Sequence, residues 1–286
     1  MGNIETRLVL GTAQFGMKYG INNKKGQLCR LELEKVFDFV NDKKICLDTS
    51  SAYGTSEAIV GNMATSDVAI ITKISPKEPE HAKPALLHSL NKLGRDKVHG
   101  CLLHDFSIIK KQPKVWDAFV NLKRDGYINK IGFSVYYPSQ ITYLLNNGIP
   151  FDIIQFPYSI VDQRFSSVMG VLKKYNVELY ARSIFLQGLF FKNLTVAERE
   201  KFSSLLKPLK AIRDISKNKG IPISHICINF ALLNRFVDKV VFGINSYSDL
   251  LINLNTNNNM ECTRLIYEEL LTLHKNHDSM ILPINW

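Results

Sequence analysis

Eight short apolar runs, each followed by a stretch with helical spacing, set the strongest limit on how this chain can fold. The runs fall at residues 8–12, 45–49, 68–74, 98–104, 131–135, 152–156, 177–184 and 240–244. Several carry Val, Ile and Leu at both parities, the pattern of strands covered on both faces. Between them, Leu31, Val36, Phe37 and Val40 form one helical stripe. Leu86, Leu87, Leu90 and Leu93 form a second, and Val115, Phe119 and Leu122 a third that ends before Gly126. Residues 201–219 and 224–236 supply two further helices ahead of the last strand. Strand-then-helix repeated eight times in 286 residues predicts an α/β fold with a parallel sheet. The count favours a closed (β/α)8 TIM-type barrel, with its active site at the C-terminal ends of the strands. The competitor is an open doubly wound sheet, but the Gly-x-Gly-x-x-Gly fingerprint expected after its first strand is absent. No Gly-, Ser- or Pro-rich linker divides the chain, so one barrel domain over residues 1–286 is expected.

Composition narrows the function classes. With 45% hydrophobic and 22% charged residues, the chain is neither disordered nor of low complexity. No apolar run approaches the ~18 residues needed to span a bilayer, and the N-terminus lacks a basic segment followed by an apolar one. The net charge of +10, from 36 Lys and Arg against 26 Asp and Glu, is spread along the chain. No helix-turn-helix, zinc-finger or RNA-binding signature accompanies it, so neither nucleic acid nor membrane is an expected partner. A phosphate-bearing small ligand is the most economical reading of the charge. The five cysteines (29, 46, 101, 227 and 262) form no Cys-x-x-Cys pair, which suits a reducing cytoplasm. Gly2 with Thr6 fits a myristoylation pattern and Asn193-Leu-Thr195 a glycosylation sequon; both patterns are short enough to arise by chance. His274 and His277 sit three apart on an expected C-terminal helix, with no thiol or carboxylate motif to complete a metal site.

In a barrel of this kind the residue that ends each strand is the one to read. Asp48 ends the second strand, with Tyr53 just beyond it. Lys73 lies near the end of the third, on the same face as Ala69 and Ile71. His104 ends the fourth strand, Ser134 the fifth and Gln155 the sixth. Arg182 and Ser183 come late in the seventh, and Gly243-Ile-Asn245-Ser246 follows the eighth. A lysine facing a barrel interior needs a partner to stay charged, and Asp48 is the natural one. Asp48 and Lys73 alone could be a structural ion pair, Tyr53 alone a packed loop aromatic, and His104 alone a satisfied interior histidine. It is their convergence on one mouth that points to chemistry.

The chemistry that wants this set is reduction of a carbonyl. Hydride addition leaves charge on the carbonyl oxygen, which then needs a proton. A free tyrosine, with a pKa near ~10, is a poor donor–acceptor match at neutral pH. A neighbouring ammonium is expected to lower that pKa, with the carboxylate holding the ammonium in place. A neutral histidine can orient the carbonyl. Side chains offer no hydride, so a nicotinamide cofactor is implied.

The motifs Leu10-Gly-Thr-Ala-Gln-Phe-Gly16, Asp48-Thr-Ser-Ser-Ala-Tyr53-Gly-Thr-Ser-Glu57, Thr72-Lys73, Leu103-His104-Asp105, Gly132-Phe-Ser134 and Ala181-Arg-Ser-Ile-Phe-Leu-Gln-Gly188 resemble the aldo-keto reductase family. The resemblance runs in order to Asn253. It implies that Tyr53 is the general acid, Asp48 and Lys73 its tuning pair, and His104 the residue that orients the carbonyl. It further implies that Thr12, Ser134, Gln155, Arg182 and Ser183 lie along the cofactor. Ser134 and Gln155 would hold the nicotinamide carboxamide, and Gly243, Ser246 and Asn253 the adenine-nucleotide end. Backbone N–H groups at a helix start would favour phosphate there. The opening residues resemble a branch met among bacterial carbohydrate-biosynthesis enzymes, which implies a sugar-derived carbonyl as substrate.

Three positions depart from the family pattern. Val135 stands where Asn usually follows the serine of Gly-x-Ser. Arg182 stands where an aromatic residue commonly stacks on the nicotinamide; a guanidinium can stack on a ring or bind an anion. No Lys or Arg occurs from residue 240 to 263, where members that prefer NADPH often have one. The family resemblance favours NADPH, and that gap leaves NADH open. The small-molecule carbonyl is the expected partner of a monomer or weak homodimer. The alternative to an enzyme is a regulatory protein that holds the cofactor with little turnover, as potassium-channel β subunits of the same resemblance do.

Overall fold

The structure is a computed structural model that describes residues 4–286, apart from the Ile284 side chain. The myristoylation pattern at Gly2 lies outside the described residues. The strands are β1 (Leu8–Gly11), β2 (Cys46–Asp48), β3 (Ile70–Ile74), β4 (Val98–Leu103), β5 (Ile128–Ser134), β6 (Ile153–Pro157), β7 (Glu178–Arg182) and β8 (Lys239–Phe242). They close in chain order, every neighbouring pair parallel, with β1 pairing β8. All eight predicted runs are strands of one barrel with helices between them, which excludes the open sheet.

The barrel interior is a filled layer. Val9, Ile71, Leu102, Ile153, Tyr180 and Val241 form a separate buried cluster, with Cys46 packed against it. Successive residues of a strand face opposite sides, so a step of two from each of these stays inside and moves about 6.6 Å up the axis. From β1 to β8 that step reads Gly11, Asp48, Lys73, His104, Gln155, Arg182 and Gly243. Ser134 is the register partner of Gln155 on β5. The candidate site is therefore the next layer above the apolar plug.

The second, larger core lies between strands and helices. In the helix Arg30–Lys43 the buried face is Leu33, Val36, Phe37 and Val40. Leu31, expected in that stripe, is 71% exposed. In Pro79–Leu93 the buried face runs through Ala82, Leu86, Leu90 and Leu93, and Leu87 is exposed because it lies about 100° around the helix from Leu86. Val115, Phe119 and Leu122 are buried as expected, together with Trp116. Trp116 stacks on Phe133 of β5 at 3.9 Å between centroids and donates its ring N–H to the Pro150 carbonyl at 2.7 Å. That contact is the role of an indole the sequence left unassigned.

Beyond β8 the chain runs back across the barrel. His274 and His277 are not on a helix, since the last α-helix is Tyr267–Leu271. The segment that carries them docks on the loop after β6, through Lys275 N–H to the Val161 carbonyl at 2.8 Å and Gln163 N–H to Asn276 Oδ1 at 2.8 Å. Trp286 packs edge-on against Phe202.

Candidate active site

Asp48 and Lys73 meet because β2 and β3 pair in a register that sets Asp48 beside Ile71. Lys73 Nζ donates to Asp48 Oδ2 at 2.6 Å and to the Thr49 carbonyl at 2.9 Å. The two side chains are 1% and 5% exposed. A buried pair survives only if its remaining hydrogen-bonding positions are met. Asp48 Oδ1 meets this by accepting the Gln155 amide N–H at 2.7 Å. Burial pulls the Lys73 ammonium below its usual range, while the Asp48 carboxylate opposes that pull.

Tyr53 and His104 complete the cluster. Lys73 Nζ lies 5.1 Å from the centre of the Tyr53 ring, and the His104 ring meets Tyr53 edge to face at 5.9 Å. His104 Nδ1 is 3.1 Å from Ser50 Oγ, which also accepts the Ala52 N–H at 3.1 Å. Burial, followed by the Lys73 and Arg182 charges, pushes His104 down to about 3. The imidazole is therefore neutral. Tyr53 corrects an expectation: its pKa is raised, not lowered. Burial of the phenol is the largest cause, the Asp48 carboxylate adds to it, and Arg182 opposes it. At neutral pH Tyr53 holds its proton.

Two cavities open on this cluster. The larger, about 650 Å³, runs from Asp48, Tyr53 and Gln155 past Gly11 and Thr12 to Gly243, Asn245, Asp249 and Asn253, facing residues 222–224. Its size falls within the range of small-molecule and cofactor sites. The smaller, about 260 Å³, lies over Tyr53, His104, Ser134, Tyr136 and Arg182.

A model of the Aldo/keto reductase family matches residues 7–269. The chain belongs to the aldo/keto reductase family. It is thereby an NAD(P)-dependent oxidoreductase of the kind that reduces carbonyls. It is 25% identical over 255 residues to the uncharacterized oxidoreductase YqkF of Bacillus subtilis, covering 79% of this chain and 81% of that one. It is 30% identical over 106 residues to the uncharacterized oxidoreductase C28F2.05 of Schizosaccharomyces pombe, a match to 36% of this chain and 38% of that one. Among solved structures it superposes on the holo form of aldo-keto reductase AKR11C1 from Bacillus halodurans with a TM-score of 0.77. The identity is 20%, and 94% of this chain and 92% of that one are covered.

In this aldo/keto reductase the remaining predicted residues divide by position. Gly243 and Asn253 line the larger cavity, Ser134 the smaller, and Gln155, Arg182 and Ser183 both. Thr12 also lines the larger cavity, but its hydroxyl is engaged within the protein, donating to the Asp48 carbonyl at 3.1 Å and lying 2.7 Å from Ser56 Oγ. Ser246 is not among the lining residues. It caps the helix Tyr247–Leu254, its Oγ accepting the Asp249 N–H at 3.1 Å. The Val135 side chain is fully buried in the outer core, so it offers the cavity nothing, but its carbonyl accepts from Arg182 Nη2 at 3.1 Å. The Arg182 guanidinium sits 4.3 Å from the centre of the Tyr136 ring. Of the roles open to it in sequence, stacking on a ring is the one formed within the protein.

The residues present fit a nicotinamide dinucleotide. Gln155 Oε1 and Asn245 Oδ1 are buried acceptors with no partner, and both residues line the larger cavity. Such orphans are rare, and the amide and amino groups of a dinucleotide are donors that would satisfy them. A Cβ at Gly243 would stand 2.7 Å from Gln14 Nε2, so glycine keeps that passage clear.

Sequence reasoning missed Ser50, Tyr19, Tyr136, Gln187 and Asp249. Ser50 had a signal, since it lies two residues past Asp48 on the same face. Tyr19 and Gln187 had none. They meet only because the loops after β1 and β7 cross, with Ile21 N–H donating to the Gln187 carbonyl at 2.9 Å and Gln187 Nε2 to Tyr19 Oη at 3.2 Å. Burial pushes Tyr19 up to about 12. Ser183, Leu186 and Gln187 adopt left-handed backbone conformations, at φ of 58°, 48° and 50°. Non-glycine residues persist there only where the surroundings hold them.

Proposed function

We propose that this reductase converts a hydroxylated, sugar-like aldehyde or ketone to an alcohol, with Tyr53 as proton donor. The observation that carries the reading is one cluster: a phenol kept protonated by burial, beside a buried Lys73–Asp48 pair and a neutral histidine, at the end of a cavity with an open amide acceptor. When bound, a reduced nicotinamide supplies the hydride. Gln155, Ser134 and Ser183 would hold its carboxamide end, and Gly243, Asn245 and Asn253 the far end.

The chain's own residues handle the oxygen. Tyr53 donates its proton to the carbonyl oxygen as charge develops there. Lys73 stabilises the phenolate left behind, and Asp48 keeps that ammonium in place. The Ser50 hydroxyl reaches both the Lys73 carbonyl, at 3.2 Å, and His104 Nδ1, at 3.1 Å. In the tautomer where it donates to Nδ1, the imidazole proton stands on Nε2 and donates to the same carbonyl oxygen. Fixed donors aimed at developing charge need no reorganisation during reaction.

The smaller cavity supports the substrate class. Its lining carries the hydroxyls of Tyr19, Tyr136 and Ser134, the Gln187 amide and the Arg182 guanidinium. Such a lining suits hydroxyls on the substrate better than an alkyl chain. The five free thiols suit a reducing compartment, so the reading includes a cytoplasmic setting. Loss of reduced-nicotinamide absorbance, followed with sugar-derived and alkyl aldehydes, tests the proposal. Turnover faster with the hydroxylated set supports it. Cofactor binding without oxidation by any carbonyl would transfer the reading to a regulatory protein.

A further inference from the structure

The far end of the larger cavity has an unusual charge. Of the charged side chains that line the cavity, Asp48 and Arg182 stand at the catalytic end, and Asp249 is the charged residue at the other. No lysine lines it among the described residues. Ser216 and residues 222–224 form the opposite wall and bring no cation.

The helix start beside it also has fewer N–H groups to offer an anion. A free helix N-terminus attracts phosphate because its first N–H groups lack partners. In Tyr247–Leu254 the first and third of them have partners. Tyr247 N–H donates to Glu32 Oε2, from the helix Arg30–Lys43. Asp249 N–H donates to Ser246 Oγ at 3.1 Å, and Asn245 N–H donates to Asp249 Oδ2 at 2.9 Å. Two carboxylates therefore take up backbone N–H groups that a phosphate would seek, and of the two Asp249 lines the cavity.

We propose that Asp249 and Glu32 make this reductase select NADH over NADPH, through the 2′ position of the adenine ribose. The inference rests on the reading that the larger cavity holds a nicotinamide dinucleotide. A 2′-phosphate brings about −1.5 to −2 charges and would meet the Asp249 carboxylate with no cation among the residues that line that end. A 2′-hydroxyl is a donor, and a carboxylate is the acceptor that reads it in other dinucleotide sites. The unpartnered Asn245 Oδ1 offers a second acceptor at the same end. The run of residues 240–263 without Lys or Arg thus has a complement in the fold, where acidic groups stand in place of basic ones. NADPH, favoured by the family resemblance, is the poorer fit to this cavity.

Equilibrium titration of the full chain with NADH and with NADPH, read by quenching of intrinsic fluorescence, tests this without turnover. Wild type is expected to bind NADH at least roughly tenfold more tightly, the gap narrowing as salt screens the carboxylates. Asp249→Asn and, separately, Glu32→Gln are expected to tighten NADPH more than NADH. Glu32→Gln keeps an acceptor at Tyr247 N–H, so it remains informative if Asp249→Asn does not fold. Equal binding of the two cofactors by wild type, or tighter binding of NADPH, overturns the proposal. Binding of neither by folded protein removes the cofactor reading itself, and this inference with it.

Discussion

Gly16 and Gly54, from the segments after the neighbouring strands β1 and β2, touch beside the Tyr53 backbone. A Cβ on Gly16 would lie 2.0 Å from the Tyr53 carbonyl oxygen, and one on Gly54 would lie 2.4 Å from the Gly16 carbonyl oxygen. Gly54 also has a left-handed φ of 56°, which favours glycine. Gly16 closes the first sequence motif and Gly54 follows Tyr53 within the second, so the motifs are joined in space by the absence of two side chains. Gly16→Ala is expected to lower stability by about 1–3 kcal/mol through overpacking and to reduce turnover by displacing the tyrosine. Thermal unfolding beside steady-state rates would show it, and an unchanged Tm would mean that the loop yields freely.

The Lys73–Asp48 pair should separate structure from chemistry. Lys73→Met leaves Asp48 buried with one donor lost, and breaking such a pair costs about 3–5 kcal/mol. Adding Asp48→Asn removes the stranded charge while Gln155 Nε2 keeps an acceptor. The double variant is therefore expected to recover much of the stability in urea unfolding and none of the turnover. Recovery of turnover would deny the ammonium a catalytic role.

Acid sensitivity follows from His104. Its folded pKa of about 3 lies below the unfolded value near ~6.5, so the folded state binds fewer protons between the two. Its contribution to stability is complete above the unfolded value and is lost as pH falls from about 6.5 toward 3, at up to ~1.4 kcal/mol per pH unit. His99 and His225 shift in the same direction. The comparison is therefore wild type against His104→Gln, whose stability should fall less steeply over that window in denaturant titrations.

Gln155 has two duties that one substitution exposes. Gln155→Leu deprives Asp48 Oδ1 of its donor and the cavity of its open acceptor. Cofactor affinity is expected to fall by roughly three- to tenfold, the worth of one hydrogen bond. A binding titration that shows no change would place the carboxamide elsewhere.

The sequence carried the layer of site residues because strand geometry is local. Once eight strands are recognised, a step of two from Ile71 to Lys73 or from Ile153 to Gln155 follows from the pleat. Helix faces were less legible. Leu31 lies two residues before Leu33 and Leu87 next to Leu86, and only the packed helix shows that both face outward. Contacts between loops were not legible at all. Tyr19 and Gln187 are 168 residues apart, and Glu32 reaches Tyr247 across 215. The expectation of a lowered Tyr53 pKa failed for a related reason. The sequence shows which charges are near the phenol but not how much water is excluded from it, and desolvation proved the larger effect.

The central claim is that Tyr53 gives the proton that completes carbonyl reduction. Its direct test is Tyr53→Phe, which removes one hydroxyl and keeps the ring beside His104 and Lys73. The account predicts that cofactor binding changes little, while oxidation of bound cofactor by the carbonyl substrate falls by roughly 10²-fold or more in single-turnover measurements. Oxidation at the wild-type rate by the phenylalanine variant would contradict it.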